Sequence, residues 1–506
     1  MSNRLLLDWI AASRSADEEI KGDIRRLRAR ARELARNNSY IKRYFRLLRN
    51  NVIGSQGITL QALVTRPSQG EEGETFVLDT AVNDEIERAW RTWARKPVTL
   101  DGKLSLRRFE QLILKTVACD GETFVRLWRG VEGNPFGLAL QAIDADLIDE
   151  RLNRPARDGQ NEIRMGVEVD ELSRPVGFWC WTKPSSVSMT VIRERYFVPA
   201  SEMIHLYDPD RVNQTRGVTW VHSIMVPAHM LDAYEESEAV AARVAAAKMG
   251  FLQKRADSLG PDLAGEKDPA MIEANPGSIE IVPEGYEFNG WSPDHPTGQF
   301  GAFVEQMARK VATGLGVFYN VLANDARGVS YSSMRSFALV ERDDWRGIQN
   351  DFIEMWRVPL YDVWLSMALL TRKLRLPSQN PDRYREVEHR PRGWAWIDPE
   401  KAAKGAVLSI ENGLGTRAEV LAERGLDVED VFRQLRRELD LAEKWGIKID
   451  GGAPKEEPVT ASEVETQIEA AAEEAAGGGN GDGRDHVMTS NDVTRRLVSV
   501  SPQPTR

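Results

Sequence analysis

The sequence predicts an α+β fold that extends over several domains. Between positions 51 and 220, short runs that alternate apolar and polar residues predict strands. Before and after that region, longer amphipathic stretches predict helices. The chain has 506 residues, which is more than a single hydrophobic core usually supports, so we expect two to four domains.

The first fifty residues are predicted to be helical, and they are strongly basic. Between Lys21 and Arg49 there are eleven Lys and Arg residues against two acids. Arg25, Arg28 and Arg32 follow one side of the predicted helix. This stripe has two interpretations: contact with DNA or an acidic partner, or an ordinary exposed face or subunit contact.

A mixed region follows, in which helices alternate with short strands. Helices are predicted at Asn83–Trp93 and Arg107–Ala118. The polar segment Asp170–Pro175 predicts a hairpin connection. The predicted strands of this region are Glu122–Trp128, Leu138–Ile143, Ile163–Val169 and Val176–Trp181.

Three acids, Asp144, Asp146 and Asp149, cluster after the second predicted strand. Their spacing is loosely similar to that of a calcium loop, but the glycine and the closing glutamate of that motif are absent. A solvated strand end is the interpretation that we favour.

From His222 to Gly250 the pattern predicts one long helix, roughly 40 Å in length. Its predicted apolar stripe contains Val226, Met230, Ala233, Tyr234, Val240, Val244 and Ala247. The segment Gln253–Pro296 is rich in Gly and Pro and carries short strand-like pieces such as Ser278–Val282. A second helix follows at Gln299–Gly316, so the sequence predicts a stalk with a small tip.

This second helix ends at glycines. The chain then passes through a polar loop and becomes helical again. The loop is predicted at Asn320–Ser330, with Ser330–Ser333 leading into a helix that runs from Ser332 to about Thr371. Pro359 lies inside this helix, removes one backbone hydrogen bond and predicts a kink.

The C-terminal part is predicted to begin with a small helical domain and to end in a disordered tail. Thr416 and Glu419 form a capping-box pattern, and Asp427–Lys444 predicts another helix. After Gly451 the composition is dominated by Gly, Ala, Glu and Ser, which bury too little apolar surface to fold. Within the tail, only Ser462–Ala476 has a helical pattern.

Composition excludes several classes of protein. The formal net charge of -10 argues against tight binding of nucleic acid through its phosphates. No apolar window is long enough for a membrane span or a signal peptide, so we expect a cytoplasmic protein, assembled in the host cytoplasm, that is neither inserted in a membrane nor secreted. Cys119 and Cys180 lack metal-ligand or redox spacing and are predicted to be buried free thiols.

The motifs of catalysis and cofactor binding are also missing from the sequence. Gly314-Leu-Gly316 and Gly413-Leu-Gly415 lack the third glycine of a dinucleotide fingerprint, and there is no phosphate-binding GxxxxGK[ST] loop. The six histidines include no HExxH motif, and His222 and His229 are best explained as structural. We therefore predict that the protein is not an enzyme and uses no cofactor or metal.

Tryptophan is abundant, with 14 residues, several of them in pairs. The pairs Trp90/Trp93, Trp179/Trp181 and Trp394/Trp396 have helical or strand spacing. They fit stacking platforms for single-stranded nucleic acid, but packing in the core or a subunit interface explains the spacing better.

Taken together, a series of short segments resembles the lambda-type portal proteins of tailed bacteriophages. The resemblance extends over about residues 35–445 and depends on the order and spacing of the segments rather than on any one of them. These segments are Tyr40–Phe45 (YIKRYF), Asn51–Gly54 (NVIG), Gly57–Gln61 (GITLQ), Gly121–Val125 (GETFV), Leu140–Asp144 (LQAID), Arg174–Val176 (RPV), Val198–Ala200 (VPA), Ile204–Tyr207 (IHLY), Gln214–Trp220 (QTRGVTW), Leu315–Val317 (LGV), Tyr331–Ser333 (YSS) and Trp396–Pro399 (WIDP).

The resemblance implies a portal fold: a mixed α/β wing, a helical stem, a small α/β clip, a kinked long helix with a tunnel loop, and a helical crown, assembled into a ring. The long acidic tail departs from that pattern. The expected parts are a basic N-terminal arm at 1–39, the wing at 40–221, stem helices at 222–250 and 299–316, the clip at 251–298, the tunnel-loop region at 317–331, the kinked helix and wing return at 332–399, the crown at 400–451 and the tail at 452–506.

The same resemblance implies a function without catalysis. A homo-dodecameric ring at one capsid vertex would let a terminase drive double-stranded DNA into the head, retain it, and later release it. The expected partners are the terminase large subunit, the major capsid protein, head completion and tail proteins, and the DNA itself. The expected location is the portal vertex of the virion.

Candidate functional residues follow from this assignment. Around the tunnel loop we expect weak, repeated phosphate contacts from Asn324, Arg327, Ser330, Arg309, Lys310 and Arg335. For the three arginines and Lys310, the alternative is salt bridging between neighbouring subunits. We favour this alternative for Arg309 and Lys310, since Glu305 lies one helical turn earlier. In the clip, Lys254, Arg255 and Lys267 are expected to contact the terminase or a connector protein.

Two other functions stay open on the sequence alone. One is a minor capsid or adaptor protein that binds other head proteins without forming a channel. The other is a metal-dependent phage hydrolase that uses Asp144, Asp146 and Asp149.

Overall fold

The computed structural model describes residues 13–70, 73–134, 136–157, 159–182, 194–246, 250–254, 286–290, 299–396 and 398–447. Within these ranges helices and sheets are mixed, as predicted. The chain divides into two units, Met1–Val428 and Glu429–Arg506. The predictions for Ser278–Val282 and for the tail 452–506 lie outside the described residues.

Helices and strands alternate along the chain. In the described residues the α-helices are α1 (Ala16–Ile20), α2 (Ile24–Asn37), α3 (Ser39–Val52), α4 (Thr80–Arg95), α5 (Leu106–Asp120), α6 (Met225–Ala246), α7 (Phe300–Gly314), α8 (Tyr319–Ala323), α9 (Tyr331–Phe352), α10 (Val358–Leu370), α11 (Pro399–Glu411), α12 (Arg417–Glu423) and α13 (Val428–Trp445).

The strands form five small antiparallel groups, in the orders β10-β4-β5, β6-β7-β8-β9, β1-β13, β2-β3 and β11-β12. In the described residues they are β1 (Thr59–Ala62), β2 (Thr65–Gly70), β3 (Gly73–Leu78), β4 (Glu122–Arg129), β5 (Leu138–Ile143), β6 (Glu162–Arg164), β7 (Val167–Val169), β8 (Pro175–Trp181), β9 (Arg195–Pro199), β10 (Met203–Tyr207), β11 (Gly250–Lys254), β12 (Tyr286–Gly290) and β13 (Val387–Arg390).

The strands of the mixed region lie close to where the sequence predicts them, with one exception. The run Ile163–Val169 is not a single strand but the hairpin of β6 and β7. Met165 and Gly166 turn the chain there with φ of 46° and 83°. The apolar alternation continues through this turn, which is why the sequence pattern alone does not reveal it.

The main core lies where α3, α4, α5 and α10 pack against the sheets. Trp90 and Trp93 are 4% and 2% exposed, and the Trp90 ring lies 4.9 Å from that of Trp364. The core interpretation of this tryptophan pair is therefore confirmed. Cys119 and Cys180 are buried free thiols, also as predicted.

Helix α6 buries a different face from the one that its pattern predicts. Ala228 and Leu231 are fully buried, whereas Val226 and Met230 are each 60% exposed and Val240 is 51% exposed. Apolar residues lie on two faces of this helix, and Ala228 packs in the main core. On the predicted stripe, Tyr234 packs against Phe300 and Phe303 of α7, whereas Val226, Met230 and Val240 are uncovered within one chain. Ala247 lies outside the described residues.

The helix predicted from Ser332 to Thr371 is interrupted. Ile353–Arg357 forms a π-helical turn between α9 and α10, and Pro359 comes directly after it, in the first turn of α10. Within the turn, the Trp356 indole N–H and the Arg357 guanidinium both donate to the buried carboxylate of Glu110 on α5, at 3.0 and 2.8 Å. A proline has no backbone N–H to donate. It therefore fits directly after the π-helical turn, where the regular pattern of α-helical hydrogen bonds is interrupted.

The C-terminal helices begin as the sequence predicts. Thr416 and Glu419 form the predicted capping box at the start of α12. Of the second unit, residues 429–447 are described, and they form most of α13, on which Phe432, Leu435 and Leu439 are exposed. No helix of the described ranges is long and apolar enough to cross a membrane.

Candidate functional site

The connection between α7 and α9 is the segment that the sequence singles out. α7 ends at Gly314, and Gly316, with φ of 67°, turns the chain. The predicted loop Asn320–Ser330 is wrong at its start, because Tyr319–Ala323 forms the short helix α8. Leu322 anchors that helix with only 3% exposure. The loop itself is therefore 324–330, and Asn324 opens it in the left-handed conformation with φ of 55°.

Arg327 projects from this loop but is held by Asp325. Its Nε and Nη2 lie 2.9 and 2.8 Å from the two oxygens of the Asp325 carboxylate, and its backbone N–H donates to the same group at 3.0 Å. The Arg327 side chain is 88% exposed. The hydrogen bonds from Arg327 hold the pKa of Asp325 well below its usual range. The loop therefore presents a cation whose charge is locally compensated.

Arg309 on α7 belongs to the same cluster as Arg327 and Asp325, to which Tyr319 connects it. Its Nε donates to Glu305 at 3.1 Å, and its guanidinium lies 4.8 Å from the centroid of the Tyr319 ring. The Tyr319 hydroxyl donates to Asp325 at 3.3 Å. Arg309 therefore forms a salt bridge within its own helix, and a salt bridge to a neighbouring subunit stays a prediction.

The remaining predicted residues around the loop do not join this cluster. Ser330 caps α9, since the Ser333 backbone N–H donates to its Oγ at 3.2 Å. Lys310 and Arg335 are exposed, and neither forms an ion pair with another described residue. Asn324 is exposed at the start of the loop.

The first turns of α9 have little cover within one chain. Tyr331, Met334, Leu339 and Val340 are 62, 44, 49 and 56% exposed. The Phe337 ring stacks at 4.6 Å on Phe318, which precedes α8. The stacking of Phe337 on Phe318 therefore connects the start of α9 to the start of α8, on either side of the loop. The other apolar side chains in the first turns of α9 remain exposed.

Of the three residues that were predicted to make contacts in the clip, only Lys254 lies within the described residues. Lys254 is the last residue of β11 and pairs with Tyr286 of β12. Arg255 and Lys267 lie outside the described residues.

Of the basic stripe at the N-terminus, Arg28 is buried and Arg32 is half-buried, so the interpretation as an exposed face is wrong for these two, whereas Arg25 is 44% exposed and pairs with Glu150. Arg28 is 1% exposed, and its guanidinium donates to Glu122 at 2.8 Å and to Asp146 at 2.6 Å. Arg32 donates to Asp120 at 2.6 Å and is half-buried. These contacts join α2 to the sheet of the mixed region.

The acidic cluster after β5 supplies carboxylates for these contacts, and the predicted solvated strand end is found only at Asp144, whose side chain is 52% exposed. Asp144 and Asp146 accept from Arg32 at 2.7 and 2.6 Å. Asp149 is 6% exposed and lies 3.4 Å from Arg195. The oxygens of Asp144 and Asp146 are engaged by guanidinium groups, and no group of metal-ligating side chains occurs among the residues that the structure describes.

Glu122 is the centre of this network, and it is not among the functional residues predicted from the sequence. Its fully buried carboxylate accepts from Arg216 Nε at 2.8 Å and from His205 Nε2 at 2.9 Å, in addition to Arg28. Burial alone would raise the pKa of Glu122, but the charge of Arg216 and the bond from His205 lower it below its usual range. Burial lowers the pKa of His205.

The only sequence signal for this centre is the pair of motifs that contain it. Glu122 lies in Gly121–Val125 and Arg216 in Gln214–Trp220, about ninety residues apart. A charged residue in an apolar strand indicates burial with a partner, but it does not say which one.

Comparison with known proteins places these features in a family. The family model described as "Phage portal protein, lambda family" matches residues 2–349. The probable portal protein of Halomonas phage phiHAP-1 is 33% identical over 88% of this chain and 86% of its own length. Portal protein B of Escherichia phage lambda is 23% identical over 88% of this chain and 89% of its own.

One solved structure is more distantly similar. A chain from the neck of an empty gene transfer agent particle aligns with 84% of this chain and 98% of its own length, at 14% identity and a TM-score of 0.41. The family assignment rests on the sequence matches.

Proposed function

This chain belongs to the lambda family of phage portal proteins, and from that premise we propose that it forms the ring through which double-stranded DNA enters and leaves a phage head. The family consists of structural proteins rather than enzymes. The family match carries the proposal. In the proposed ring, twelve copies occupy one vertex of the capsid, and the chain is a component of the virion.

The uncovered apolar surfaces support assembly into a ring. Val226, Met230 and Val240 lie on one face of α6 and are at least half exposed in a single chain. Tyr331 and Val340 are similarly exposed at the start of α9. Contiguous apolar patches that are exposed in a single chain often mark surfaces that contact another protein. Neighbouring copies in a ring would cover them.

The 324–330 loop supports a passive role towards DNA. The projecting guanidinium of Arg327 is paired with Asp325. A DNA phosphate would have to compete with the Asp325 carboxylate for it, so the contact would be weak. A net charge of -10 per chain adds a general repulsion. Weak contacts suit a channel, since tight phosphate binding would oppose movement of the DNA.

The proposed partners follow from the same role. A terminase large subunit would drive the DNA, and the clip at 251–298, with Lys254, Arg255 and Lys267, would contact it or the head completion and tail proteins. The major capsid protein would surround the ring. The wing, stem, crown and tunnel-loop assignments remain predictions at the boundaries given above, and so does the kink at Pro359.

Electron microscopy of the purified full chain tests the assembly. Rings with a central hole as wide as a DNA duplex are the expected particles. Monomers or closed shells would contradict the proposal and favour a minor capsid or adaptor protein.

Arg327 tests the loop's role. Arg327→Ala should leave ring assembly intact and lower the DNA packaged per head. Asp325→Asn should release the guanidinium and therefore raise the affinity of the ring for short duplex DNA, with a steeper salt dependence. Arg88→Ala is a matched control, because Arg88 is also exposed and also pairs with a nearby acid, Glu85. If packaging is the same with Ala at position 327 as with Ala at position 88, the loop cation has no role in translocation.

A further inference from the structure

Three arginines converge on one tryptophan beside α9. The guanidinium carbons of Arg342, Arg346 and Arg392 lie 5.9, 5.8 and 5.4 Å from the centroid of the Trp394 ring. The indole N–H of Trp394 donates to Asn51 at 3.0 Å, which fixes the ring. We call these three arginines the basic cluster.

The basic cluster is not neutralised within the chain. Arg342 donates to the Ala395 carbonyl at 3.1 Å, and Arg392 donates to the Asn50 carbonyl at 3.0 Å. Arg346 pairs with Asp343 at 2.8 Å, an exposed contact on the same helix. Burial, followed by the charges of Arg346 and Arg392, lowers the pKa of Arg342. Two of the three cations therefore have only carbonyl oxygens as partners in the described residues.

A complementary group of acids lies on the other flank of α9. Asp351 is exposed near its end, and Asp208 and Asp210 are exposed in the segment that follows β10. None of the three forms an ion pair with a described residue, and the neighbouring Arg211 is engaged by Glu19. Burial, followed by the charges of Asp351 and Asp210, raises the pKa of Asp208. We call these three acids the acidic cluster.

Helix geometry separates the two clusters. Arg342 and Asp351 are nine residues apart on α9, which at about 100° per residue places them on nearly opposite sides of its axis. The buried stripe of Glu341, Trp345, Gln349 and Phe352 lies between them. One chain therefore presents opposite charge on two flanks of a single helix and cannot join the two clusters to each other.

We propose that the basic cluster of one copy contacts the acidic cluster of the next copy, as a head-to-tail interface of the ring. An interface between two different patches of the same chain propagates from copy to copy, and it generates a ring when the rotation between copies closes and an open filament when it does not. Like charges held together in one copy are then balanced by the neighbour, and charge complementarity fixes the register of neighbouring copies. This inference rests on the proposed function, because it presumes that the chain forms a ring.

Two charge reversals in the full chain test the contact. Variant A carries Arg342→Glu and Arg346→Glu, and variant B carries Asp208→Arg and Asp351→Arg. Each variant brings like charges together at every interface, so the concentration at which rings form should rise about tenfold at low salt. Arg36→Glu, an exposed reversal on α2 outside both clusters, should assemble as the wild type does.

Mixing the two variants is the decisive arm. The reversed patch of A is negative and the reversed patch of B is positive, so A and B fit each other at both of their interfaces. Equimolar A and B should therefore form rings at the wild-type concentration, and so should a chain that carries all four substitutions. Particle mass and electron microscopy measure both, and circular dichroism confirms that A and B are folded.

The failures are distinguishable. If the wild type forms no rings, the proposed function is wrong. If the wild type, A and B all form rings at the same concentration, the interface is wrong while the proposed function stands. If A assembles normally but binds duplex DNA more weakly, the basic cluster contacts phosphate instead, and the proposal is overturned. If A and B fail both alone and when mixed, the two clusters do not meet, which also overturns it.

Discussion

Replacing Glu122 with glutamine is expected to destabilise the first unit strongly, although the side chain keeps its size. Glu122 is fully buried and, among the residues that the structure describes, it is the only carboxylate that Arg216 contacts. After the substitution, Arg216 would keep the carbonyl oxygens of Met165 at 2.6 Å and Ala145 at 3.3 Å. Arg28 would keep Asp146.

These lost and retained contacts set the size of the expected loss in the free energy of unfolding. One buried guanidinium loses its counter-charge, and breaking a buried ion pair by removing one partner costs about 3–5 kcal/mol. A typical domain is stable by about 5–15 kcal/mol, so the loss is a large part of the total. Because the folded-state pKa of Glu122 is lowered, its contribution is present above its ordinary pKa of 4.5 and is lost as the pH falls below that value.

Urea unfolding at pH 7, followed by tryptophan fluorescence, measures the effect. Glu85→Gln is the control, since Glu85 pairs with Arg88 at an exposed site and should change the free energy of unfolding by less than about 0.5 kcal/mol. A double variant, Glu122→Gln with Arg216→Met, should recover part of the loss because the unpaired cation is gone. A loss below about 1 kcal/mol for Glu122→Gln alone would refute the assignment of Glu122 as the charge centre.

Two other substitutions have effects that the structure fixes in sign. Burial, followed by the charge of Arg357, lowers the pKa of His389 from 6.5 to about 3, so the wild type should lose up to about 1.4 kcal/mol of stability per pH unit as the pH falls below 6.5. His389→Phe should reduce that slope in urea midpoints measured from pH 7.5 to 5, and an unchanged slope would contradict the burial of a neutral ring. Gly121 has φ of 92°, and an added Cβ would lie 2.5 Å from the backbone of Val218, whereas Gly102 has φ of 67° with no atom within 4 Å. Gly121→Ala should therefore lower stability by about 1–3 kcal/mol more than Gly102→Ala does, and equal melting temperatures would disprove the close contact.

Local features were predictable because neighbouring residues determine them. The strand Leu138–Ile143 has the predicted bounds, and the capping box of Thr416 and Glu419 needs only residues three apart. The hairpin at Asp170–Pro175 follows from turn residues between two apolar runs. Periodicity also located α5 and α7 to within a few residues.

Errors arose wherever a distant partner decides the outcome. Arg28 and Arg32 have the spacing of a solvated stripe, yet their carboxylates lie about ninety or more residues further along the chain. α6 has apolar residues on two faces, and only tertiary packing selects Leu231 rather than Met230 for burial. The π-helical turn before Pro359 follows from the contacts of Trp356 and Arg357 with Glu110, which no local pattern contains.

The candidate site shows the same division. The sequence by itself determined the order of helix, loop and helix, the position of Arg327 in the loop and, through many short motifs, the family, because each depends on residues close together in the chain. Only the tertiary structure decided that Glu122 joins α2 to the sheet, and that Arg342, Arg346 and Arg392 converge on Trp394. These are contacts between residues brought together by folding, and the free energy of a charge depends on which partner and how much water surround it.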